Sequence, residues 1–287
     1  MRHVAILTMD SLEDFFAYDT MLDSPFLKKG WQTHHVSWRD EQVNWDAFDV
    51  VIVRSTWDYQ QDCDRFVRCL EKIEASSAAL ENPLSLMLWN IDKNYLKDLA
   101  SDGVPIVPTL WKPAYETGCL KEAFAHFNCD TLIAKPTISA NADDTFRITA
   151  QQAESYETLL ADVFHDRALM LQPFLPAVLS PGEISLFYFG DTYSHAILKT
   201  PKADDFRVQE EHGGQLTAII PTEEMQRVAE KTLAALPAKT LYARVDLITS
   251  GNEWCVMEVE LIEPSLYFNM DKHSAQRFVD VFCHKYS

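Results

Sequence analysis

The chain has 287 residues, of which 47% are hydrophobic and 24% are charged, and its formal net charge is -18 at pH 7. This is an ordinary globular composition, and the length suits two or three small lobes. The negative charge disfavours nucleic acid and anionic membranes as main partners, because both would repel the protein. A polyanion that binds this chain must meet basic residues concentrated in a cleft.

The N-terminus and the cysteines favour a cytoplasmic protein. The first residues, MRHVAILTM, predict a first β-strand rather than a signal peptide, and no window approaches the length of a transmembrane helix. The six cysteines form no CxxC pair and show no metal-ligand spacing. We expect reduced thiols that pack in the interior, with disulfides as the weaker alternative.

The first third of the chain alternates strand and helix patterns. Apolar and β-branched runs predict strands at 3–9, 33–38 and 49–54, and helical patterns cover 15–28 and 60–75. Such alternation is typical of parallel strands with helical crossovers. No GxGxxG follows the first strand, which disfavours a dinucleotide-binding Rossmann site.

The rest of the chain predicts an α+β arrangement. A helix is expected at 90–102 and a strand at 104–109. Further strands are predicted at 131–138, 146–149, 169–174, 184–190 and 193–199, further helices at 150–164, 222–236 and from 273 onward, and a hairpin at 242–262 with its turn at 250–252. We place a boundary between an N-terminal α/β domain, residues 1–88, and a second domain, residues 89–287.

The predicted hairpin carries acidic side chains at alternating positions. Arg244 and Asp246 share one strand face, and Glu258 and Glu260 share another, while Glu263 has the opposite parity and is the weaker candidate. The remaining face of the second strand is assigned to Cys255, Met257, Val259 and Leu261. Carboxylate oxygens, completed by phosphate oxygens, suit Mg²⁺. For this motif alone, a solvated face with cross-strand charge pairs is the better-supported alternative.

Three lysines lie at the ends of predicted elements. Lys93 stands at the start of a helix, and Lys135 and Lys199 end apolar strands. Lysine is a compact charge that suits phosphate oxygens, although any one of these residues is more often a surface lysine. With 8 glycines and no GxxxxGK[ST] loop, side-chain cations must do much of any phosphate binding.

Two further segments suggest ligand contacts. Gln172, Pro173, Phe174 and Leu175 end an apolar run, where a hinge can present backbone groups to an adenine edge and an apolar side chain to its ring. Arg207, beside Gly213-Gly214, can close over an anionic substrate. The alternative for Arg207 is a surface salt bridge to Asp204, Asp205 or Glu210.

One arginine at a strand end and two histidines have candidate roles. Arg54 ends the strand DVVIVR, at the carboxyl end where ligands of parallel sheets gather, and we expect it to anchor an anionic group of the substrate. The alternative, nearly as well supported, is a structural pair with Asp58. His195 and His212 belong to no nucleophile motif, and His195 is predicted to be structural.

The order of these motifs resembles the ATP-grasp superfamily. The segment TPKADDFRVQEEHGG is similar to bacterial glutathione synthetase. Pieces spanning residues 53–268, among them VRSTWDY, WNIDKNYLKDLASDGVPIVP, GEISL, SHAILKTP, YARVDLI and MEVELIEPSLYF, are similar to the O-ureido-serine cyclo-ligases of cycloserine biosynthesis. No single piece is specific, but the set is.

The resemblance implies a three-lobed ATP-grasp fold, in which an α/β N-terminal lobe (a pre-ATP-grasp domain) precedes two α+β lobes that hold ATP between them. It implies an ATP-dependent carboxylate–amine ligase that acts through an acyl phosphate on small-molecule acids and amines. The implied roles are phosphate binding by Lys93 and Lys135, adenine binding by Gln172–Leu175, ribose binding by Glu183, Mg²⁺ binding by Asp246, Glu258 and Glu260, and contact with the acyl-phosphate end by Lys199, Arg207 and Ser265.

Two departures and two alternatives accompany this expectation. Glu260 stands where many ATP-grasp enzymes have Asn, and SANADD (residues 139–144) replaces a glycine-rich flap. A kinase-like phosphotransferase and a non-catalytic ATP-binding protein are the alternatives. The sequence does not identify the acid or the amine, and it leaves a homo-oligomer open.

Overall fold

The computed structural model describes residues 1–139, 143–203 and 205–287, and within these it contains thirteen β-strands and eight α-helices. The strands are β1 (Arg2–Thr8), β2 (Trp31–Ser37), β3 (Val50–Ser55), β4 (Ala79–Glu81), β5 (Leu110–Lys112), β6 (Thr131–Pro136), β7 (Phe146–Thr149), β8 (Leu169–Pro173), β9 (Glu183–Phe189), β10 (Thr192–Thr200), β11 (Gln215–Ile219), β12 (Tyr242–Ser250) and β13 (Glu253–Glu260). The helices are α1 (Asp23–Lys28), α2 (Cys63–Glu74), α3 (Leu84–Asn90), α4 (Tyr95–Ser101), α5 (Cys119–Phe127), α6 (Ala153–Val163), α7 (Glu223–Ala234) and α8 (Ser274–Lys285).

The first four strands form the predicted parallel sheet, in the order β2-β1-β3-β4. Its central strands β1 and β3 are buried, as expected for a parallel sheet that is covered on both faces. The helix predicted at 15–28 is wrong over its first half: a 3₁₀ turn at Asp19–Leu22 leads into α1. Pro25 explains this, because proline is tolerated in a first helical turn but not in a helix interior.

Two antiparallel sheets follow. The order β5-β8-β6-β7 forms a four-stranded sheet, and β11-β10-β9-β12-β13 forms a five-stranded sheet. The four-stranded sheet shares an apolar core with α5 and α6, and α7 packs against β12 and β13. These sheets are the two α+β lobes that the sequence predicted.

The C-terminal helix α8 joins the parallel sheet to the five-stranded sheet. Phe282 makes edge contacts with Phe26 and Trp31, with ring centroids 4.9 and 4.8 Å apart, and Phe278 contacts Phe189 at 5.2 Å. All five rings belong to one buried cluster. Since aromatic pairs contribute about 0.5–1.5 kcal/mol each beyond their buried area, this cluster fixes the N-terminal lobe against the sheet that carries the acidic hairpin.

The helix predicted at 90–102 is interrupted. Residues 91–94 separate α3 from α4, because their polar groups bind other elements: the Asn90 amide donates to the Val259 carbonyl at 2.9 Å and accepts from the Leu261 N–H at 3.0 Å, and the Lys93 N–H donates to the Thr137 carbonyl at 2.8 Å. The break therefore places Lys93 beside the five-stranded sheet. The strand predicted at 104–109 is reduced to one bridge from Ile106 to Val256.

A bulge changes the parity of the acidic hairpin. Asp246 pairs with Glu258, but the next residue, Leu247, pairs with Val256, so Met257 has no partner in the ladder. The face assignment of Met257 was therefore wrong. Val256 joins Val259 in the core instead, and Met257 turns with Cys255 toward a different apolar cluster.

The six cysteines are free thiols, which agrees with the predicted packing role. Burial raises the pKa of Cys69 to about 11, so this thiol stays neutral. No helix within the described residues is long and apolar enough to cross a membrane.

Candidate active site

One cavity brings together all but one of the residues that the sequence singled out. Its volume is about 220 Å³, and both antiparallel sheets contribute to its wall. The predicted residues on the wall are Lys93, Lys135, Gln172, Pro173, Phe174, Leu175, Glu183, Lys199, Arg207, Asp246, Glu258, Glu260 and Ser265. The cavity therefore lies between the two α+β lobes, where the resemblance places ATP.

One end of this cavity is an apolar slot. Phe174 and Leu175, which follow β8, pack in one cluster with Val107, Val208 and Met257. Met257 reaches this slot because of the bulge in β13. An apolar slot of this kind suits a planar ring such as a purine.

The hinge beside the slot is held by its own side chains. The Gln172 amide donates a hydrogen bond to the Thr109 hydroxyl at 2.9 Å, and the Arg147 guanidinium lies 4.0 Å from the Phe174 ring centroid. These contacts fix the end of β8, so its backbone is positioned before any ligand arrives.

The opposite end of the cavity is a network of buried charges. Lys199 is paired with Glu183 and lies 3.5 Å from Asp246, and Arg244 is paired with Asp246 at 2.9 Å and also with Glu260. The strand register accounts for these pairs, since Lys199 faces Glu183 and Arg244 faces Glu260 across the ladder. Each buried charge thus meets an opposite charge.

The network also sets the protonation of its members. Burial alone would lower the pKa of Lys199, but Asp246 and Glu183 outweigh it, so the pKa is raised and the lysine stays charged. Burial raises the pKa of Glu260 to about 7; Arg244 opposes this shift, and Asp246 and Glu258 add to it. Glu260 therefore titrates near neutral pH.

Lys93 and Lys135 approach the charged end from two different elements, the break after α3 and the strand β6. The Lys93 Nζ lies 3.1 Å from Glu258 and donates to the Ser139 carbonyl at 2.8 Å. The pKa of Lys135 is lowered by burial, with Glu258 opposing and Lys93 adding to the effect. Two lysines from different elements and the carboxylate of Glu258 thus meet in one space. Ser139 begins the SANADD segment, of which residues 140–142 lie outside the described residues.

Arg207 lines the cavity but is paired with Asp205, at 2.9 Å, which is one of the alternatives from the sequence. Asp204 lies outside the described residues. The neighbouring glycines form a tight turn: Gly213 has φ +83°, and a Cβ on Gly214 would clash with the Val208 carbonyl. The turn packs this segment over the slot through Val208.

Arg54 is the predicted site residue that the structure places away from the cavity. It is 1% exposed, lies 2.9 Å from Asp19, and donates to the Pro264 carbonyl at 2.6 Å. The alternative was a pair between Arg54 and Asp58. The structure contradicts it, because Asp58 is paired with Arg39 at 2.8 Å. The placement of Arg54 favours a structural role.

Arg54 belongs to a set of side chains that hold the irregular segment after β13. In this segment, residues 262–266, each successive backbone carbonyl contacts a buried or half-buried side chain. The contacts are Tyr242 with Ile262, Trp57 with Glu263, Arg54 with Pro264, Arg244 with Ser265 and His195 with Leu266, at 2.8, 2.8, 2.6, 3.3 and 3.1 Å. A segment without sheet partners is thereby held firmly enough to direct Glu263 and Ser265 into the cavity.

His195 has the structural role that the sequence predicted. Its ring stacks on Phe187 with centroids 4.2 Å apart, and it is 6% exposed. Burial lowers its pKa to about 4, with the Leu266 carbonyl opposing. It is therefore neutral at pH 7 and serves as a hydrogen-bonding group in the core.

Several wall residues were not assigned a role from the sequence. Arg244 was noticed only for its strand face, and Glu263 was set aside because of its parity, yet both line the cavity with Trp57 and Tyr59. Parity applies to regular strands, and Glu263 lies beyond the end of β13, where the chain turns. The apolar–aromatic run VRSTWDY was a usable signal for Trp57 and Tyr59.

The three carboxylates predicted to hold a metal ion share the cavity, but each is paired with a cation. Glu258 is paired with Lys93, and Asp246 and Glu260 contact the same Arg244 nitrogen. Among the described residues, no group of three acidic, His or Cys side chains stands ready to hold a metal ion. Carboxylate oxygens nevertheless suit a hard divalent cation. Such a cation would offset the repulsion among the three carboxylates, as Lys93 and Arg244 do in this structure.

Comparisons with known proteins agree with this fold. Residues 4–82 match the family described as "D-cycloserine synthetase DcsG, N-terminal domain". The cycloserine biosynthesis protein DcsG of Streptomyces lavendulae is 30% identical in an alignment of 276 residues, and the match covers 86% of this chain and 87% of that protein. The crystal structure of D-cycloserine synthetase DcsG matches with TM-score 0.87 and 27% identity, over 99% of this chain and 100% of that one.

A more distant similarity concerns the fold alone. The D-alanine–D-alanine ligase of Bacillus anthracis matches with TM-score 0.71 and 13% identity, over 99% of this chain and 97% of that one. The ATP-grasp ligase PsnB, complexed with a minimal precursor, Mg and ADP, matches with TM-score 0.69 and 12% identity, over 99% and 97%.

The architecture is therefore the ATP-grasp fold, and the protein is an ATP-dependent ligase that forms carbon–nitrogen bonds. The chain belongs to the family of the cycloserine biosynthesis protein DcsG. This confirms the predicted ligase over the phosphotransferase and the non-catalytic binding protein.

Replacing Arg54 by Met should lower the free energy of unfolding by about 3–5 kcal/mol, because Asp19 would remain as an unpaired buried charge. The control is Arg39→Met, whose pair with Asp58 is about one-fifth exposed and should contribute about 1 kcal/mol or less. Urea unfolding of both variants measures the difference. Equal losses would contradict the structural role of Arg54.

Proposed function

We propose that this ligase activates a carboxylate as an acyl phosphate and transfers the acyl group to an amine on a small amino-acid-like or peptide-like substrate, with release of ADP and phosphate. The observation that carries the proposal is the division of one cavity into an apolar slot and a charged end. The slot suits the adenine, and the charged end suits the phosphates and the reacting carboxylate. Phosphoryl transfer from ATP to a carboxylate requires such a charged end, because both reactants are anions and repel each other.

The residues of the charged end offset the repulsion between these anions. In the first step, a carboxylate oxygen bonds to the γ-phosphorus while the bond to the β-phosphate oxygen breaks. Lys93, Lys135 and Lys199 reach the space from two lobes, and each lysine placed near a phosphate oxygen lowers the energy of the developing charge. In the second step, the amine bonds to the acyl carbon, phosphate leaves, and the nitrogen loses a proton.

The wall of the cavity supports a mechanism of positioning rather than of nucleophilic catalysis. The described residues on it include no His and no Cys, and Arg207, Arg244 and Ser265 are suited to hold the acyl-phosphate end. Such positioning supplies much of the rate enhancement when two reactants are held in line. Glu183 is proposed to contact the ribose, and residues 172–175 the adenine.

A magnesium ion is proposed at Asp246, Glu258 and Glu260. When bound, it would offset the negative charge of the phosphates. Glu258 and Glu260 would each exchange an internal cation, Lys93 or Arg244, for the metal. That exchange leaves the lysine and the arginine available to the phosphates.

The two-step reaction is tested by trapping the intermediate. With ATP, Mg²⁺ and hydroxylamine, D- and L-amino acids and dipeptides are screened for ADP release, and products are identified by mass. A substrate should yield its hydroxamate, because hydroxylamine intercepts an acyl phosphate. A stable phosphorylated product, or ADP release without a hydroxamate, an amide or a cyclised product, would contradict the proposal. A product one water lighter than the acid alone would indicate cyclisation.

Lys93→Met and Lys135→Met should each weaken ATP binding by about 1–3 kcal/mol, the range for hydrogen bonds to charged groups. Lys239→Met is the control, since Lys239 is 84% exposed and paired with Asp191 on the surface. Calorimetry at fixed Mg²⁺ measures the affinities. If both cavity variants bind as the control does, neither lysine contacts the phosphates.

Magnesium activation should weaken as the pH falls below 7. Glu260, with a pKa of about 7, binds the metal only when deprotonated, so the apparent affinity should fall by about tenfold per unit further down. The Glu260→Gln variant should bind magnesium less well but lose this additional pH dependence, and Glu258→Gln should lower Mg²⁺-dependent turnover. Parallel pH profiles for wild type and Glu260→Gln would exclude Glu260 from the metal site.

A further inference from the structure

A chain of hydrogen bonds runs from the protein surface to the segment after β13, and it begins on the C-terminal helix. Arg277 of α8 is paired with Asp271 at 2.8 Å, and its Nε donates to the Ser194 hydroxyl oxygen at 3.0 Å. This hydroxyl lies 2.9 Å from Nδ1 of His195, and Nε2 of the same imidazole lies 3.1 Å from the Leu266 carbonyl oxygen. Each contact is short enough for a hydrogen bond, so the chain is continuous.

A bulge in β10 makes this chain possible. Tyr193 and His195 pair with consecutive residues of β9, so Ser194 between them has no partner in the ladder. Neighbouring residues of a regular strand point to opposite faces of the sheet, and their side chains could not meet. The bulge instead turns the Ser194 hydroxyl toward the imidazole of the next residue.

The hydrogen-bond chain has one direction, and it fixes the tautomer of His195. The Leu266 carbonyl can only accept, so Nε2 must carry the hydrogen. Burial lowers the pKa of the imidazole to about 4, so the ring is neutral at pH 7 and Nδ1 accepts from the Ser194 hydroxyl. The hydroxyl oxygen in turn accepts from Arg277, whose guanidinium only donates. The chain therefore holds His195 as a donor toward the segment.

The carbonyl at the end of the chain belongs to the peptide between Leu266 and Tyr267. Tyr267 has φ +44°, in the left-handed region, which is unfavourable for an aromatic residue. Such a conformation persists only where surrounding contacts hold the backbone, and the donor of His195 fixes the orientation of this peptide plane. The imidazole also stacks on Phe187, whose ring centroid lies 6.1 Å from that of Tyr267. His195 thus supports Tyr267 through its backbone and through its ring.

Tyr267 lies at the charged end of the cavity. It lines the wall together with Ser265, and burial raises the pKa of its hydroxyl to about 12, with Lys199 and Arg244 opposing this shift. Two cations of the buried network are therefore close to it. The Arg244 guanidinium also contacts the Ser265 carbonyl at 3.3 Å, so a change in the path of the segment reaches the arginine directly.

We propose that His195, oriented by Ser194 and Arg277, is a positioning residue for the charged end of the cavity. His195 is not on the cavity wall, and it acts through the Leu266 carbonyl, which sets the course of the wall at Tyr267. The inference rests on the proposed function, which places the γ-phosphate and the reacting carboxylate at this end. A helix of the protein surface thereby contributes to the geometry in which the phosphate is transferred.

Two substitutions separate the hydrogen bond of His195 from its presence in the core. His195→Leu removes the donor, whereas His195→Gln supplies an amide N–H at about the position of Nε2–H. Calorimetry at fixed Mg²⁺ compares ADP with AMPPNP, a non-hydrolysable analogue of ATP. His195→Leu should bind AMPPNP about three- to tenfold more weakly than wild type, the effect of losing one hydrogen bond, and should bind ADP, which lacks the γ-phosphate, equally well. His195→Gln should regain most of the AMPPNP affinity.

The control and a second pair of variants use residues outside the core. His126→Leu, the same change at an exposed position of α5, should alter neither affinity. Ser194→Ala leaves Nδ1 of His195 without its donor, so AMPPNP affinity should fall in the same direction as in His195→Leu. Ser194→Thr keeps the hydroxyl and should bind both nucleotides as wild type does.

Hydrogen exchange followed by mass spectrometry measures the segment itself, without a ligand. Peptides that cover residues 262–270 should exchange faster in His195→Leu than in wild type. The Met270 N–H, which donates to the Tyr267 carbonyl at 2.9 Å, reports on the turn that follows the held carbonyl. Exchange in His195→Gln should return toward the wild-type rate.

Three results would overturn the positioning role: AMPPNP binding by His195→Leu that equals wild type, equal losses for ADP and AMPPNP, or His195→Gln that binds as weakly as His195→Leu. If His195→Leu does not fold, the Ser194 pair decides, and equal AMPPNP binding by Ser194→Ala and Ser194→Thr has the same consequence. Failure of wild type to bind AMPPNP contradicts the proposed function. Hydrogen exchange then tests the chain by itself, and unchanged exchange in the variants would overturn it.

Discussion

The site depends on the pairing of buried charges across one antiparallel sheet. A chain with a net charge of -18 must concentrate positive charge where it is to bind anions, and lysines or arginines buried without partners would be strongly unfavourable. The register of β9, β10, β12 and β13 solves this by placing Lys199 opposite Glu183 and Arg244 opposite Glu260. Hydrogen-bonded strands set these distances, so the cations are held in the cleft without a ligand.

The same pairing prepares the cavity for exchange of partners. Phosphates and a metal ion together carry charges of both signs, so they can replace the internal contacts pair by pair. Lys93 illustrates this, because it contacts Glu258 in the structure and, in the proposed reaction, would exchange this contact for a phosphate. Buried ion pairs of this kind contribute little net stability. They keep charged groups already desolvated and in position before the reaction begins.

Sequence patterns located the strand ends well where the chain is regular. The ends of β6, β8 and β10 were located by apolar runs, and these positions carry Lys135, Gln172 and Lys199. The parity of Arg244 and Asp246 on β12 was also correct, because β12 is an uninterrupted strand. In these cases, a local pattern and the tertiary structure require the same residue on the same face.

The errors occur where distant contacts override a local pattern. The break after α3 depends on the bonds between Asn90 and β13, about 170 positions away in sequence, and periodicity carries no sign of it. The bulge at Met257 likewise depends on how β13 pairs with β12, and the local pattern of β13 does not show this pairing. Arg54 ends a strand as ligand-binding residues do, but a buried Asp19 from a loop takes its charge. No single-sequence pattern contains these pairings.

The segment after β13 shows why a residue outside the cavity can still shape the reaction. Its five carbonyls contact side chains from β3, β10, β12 and the segment after β3, so the N-terminal lobe and the five-stranded sheet jointly position it. Arg54 contacts the carbonyl between Glu263 and Ser265, both of which face the cavity. A shift of this segment would move both side chains together. The N-terminal lobe therefore contributes to the position of cavity-lining side chains through contacts with the backbone of this segment, although Arg54 itself is not on the cavity wall.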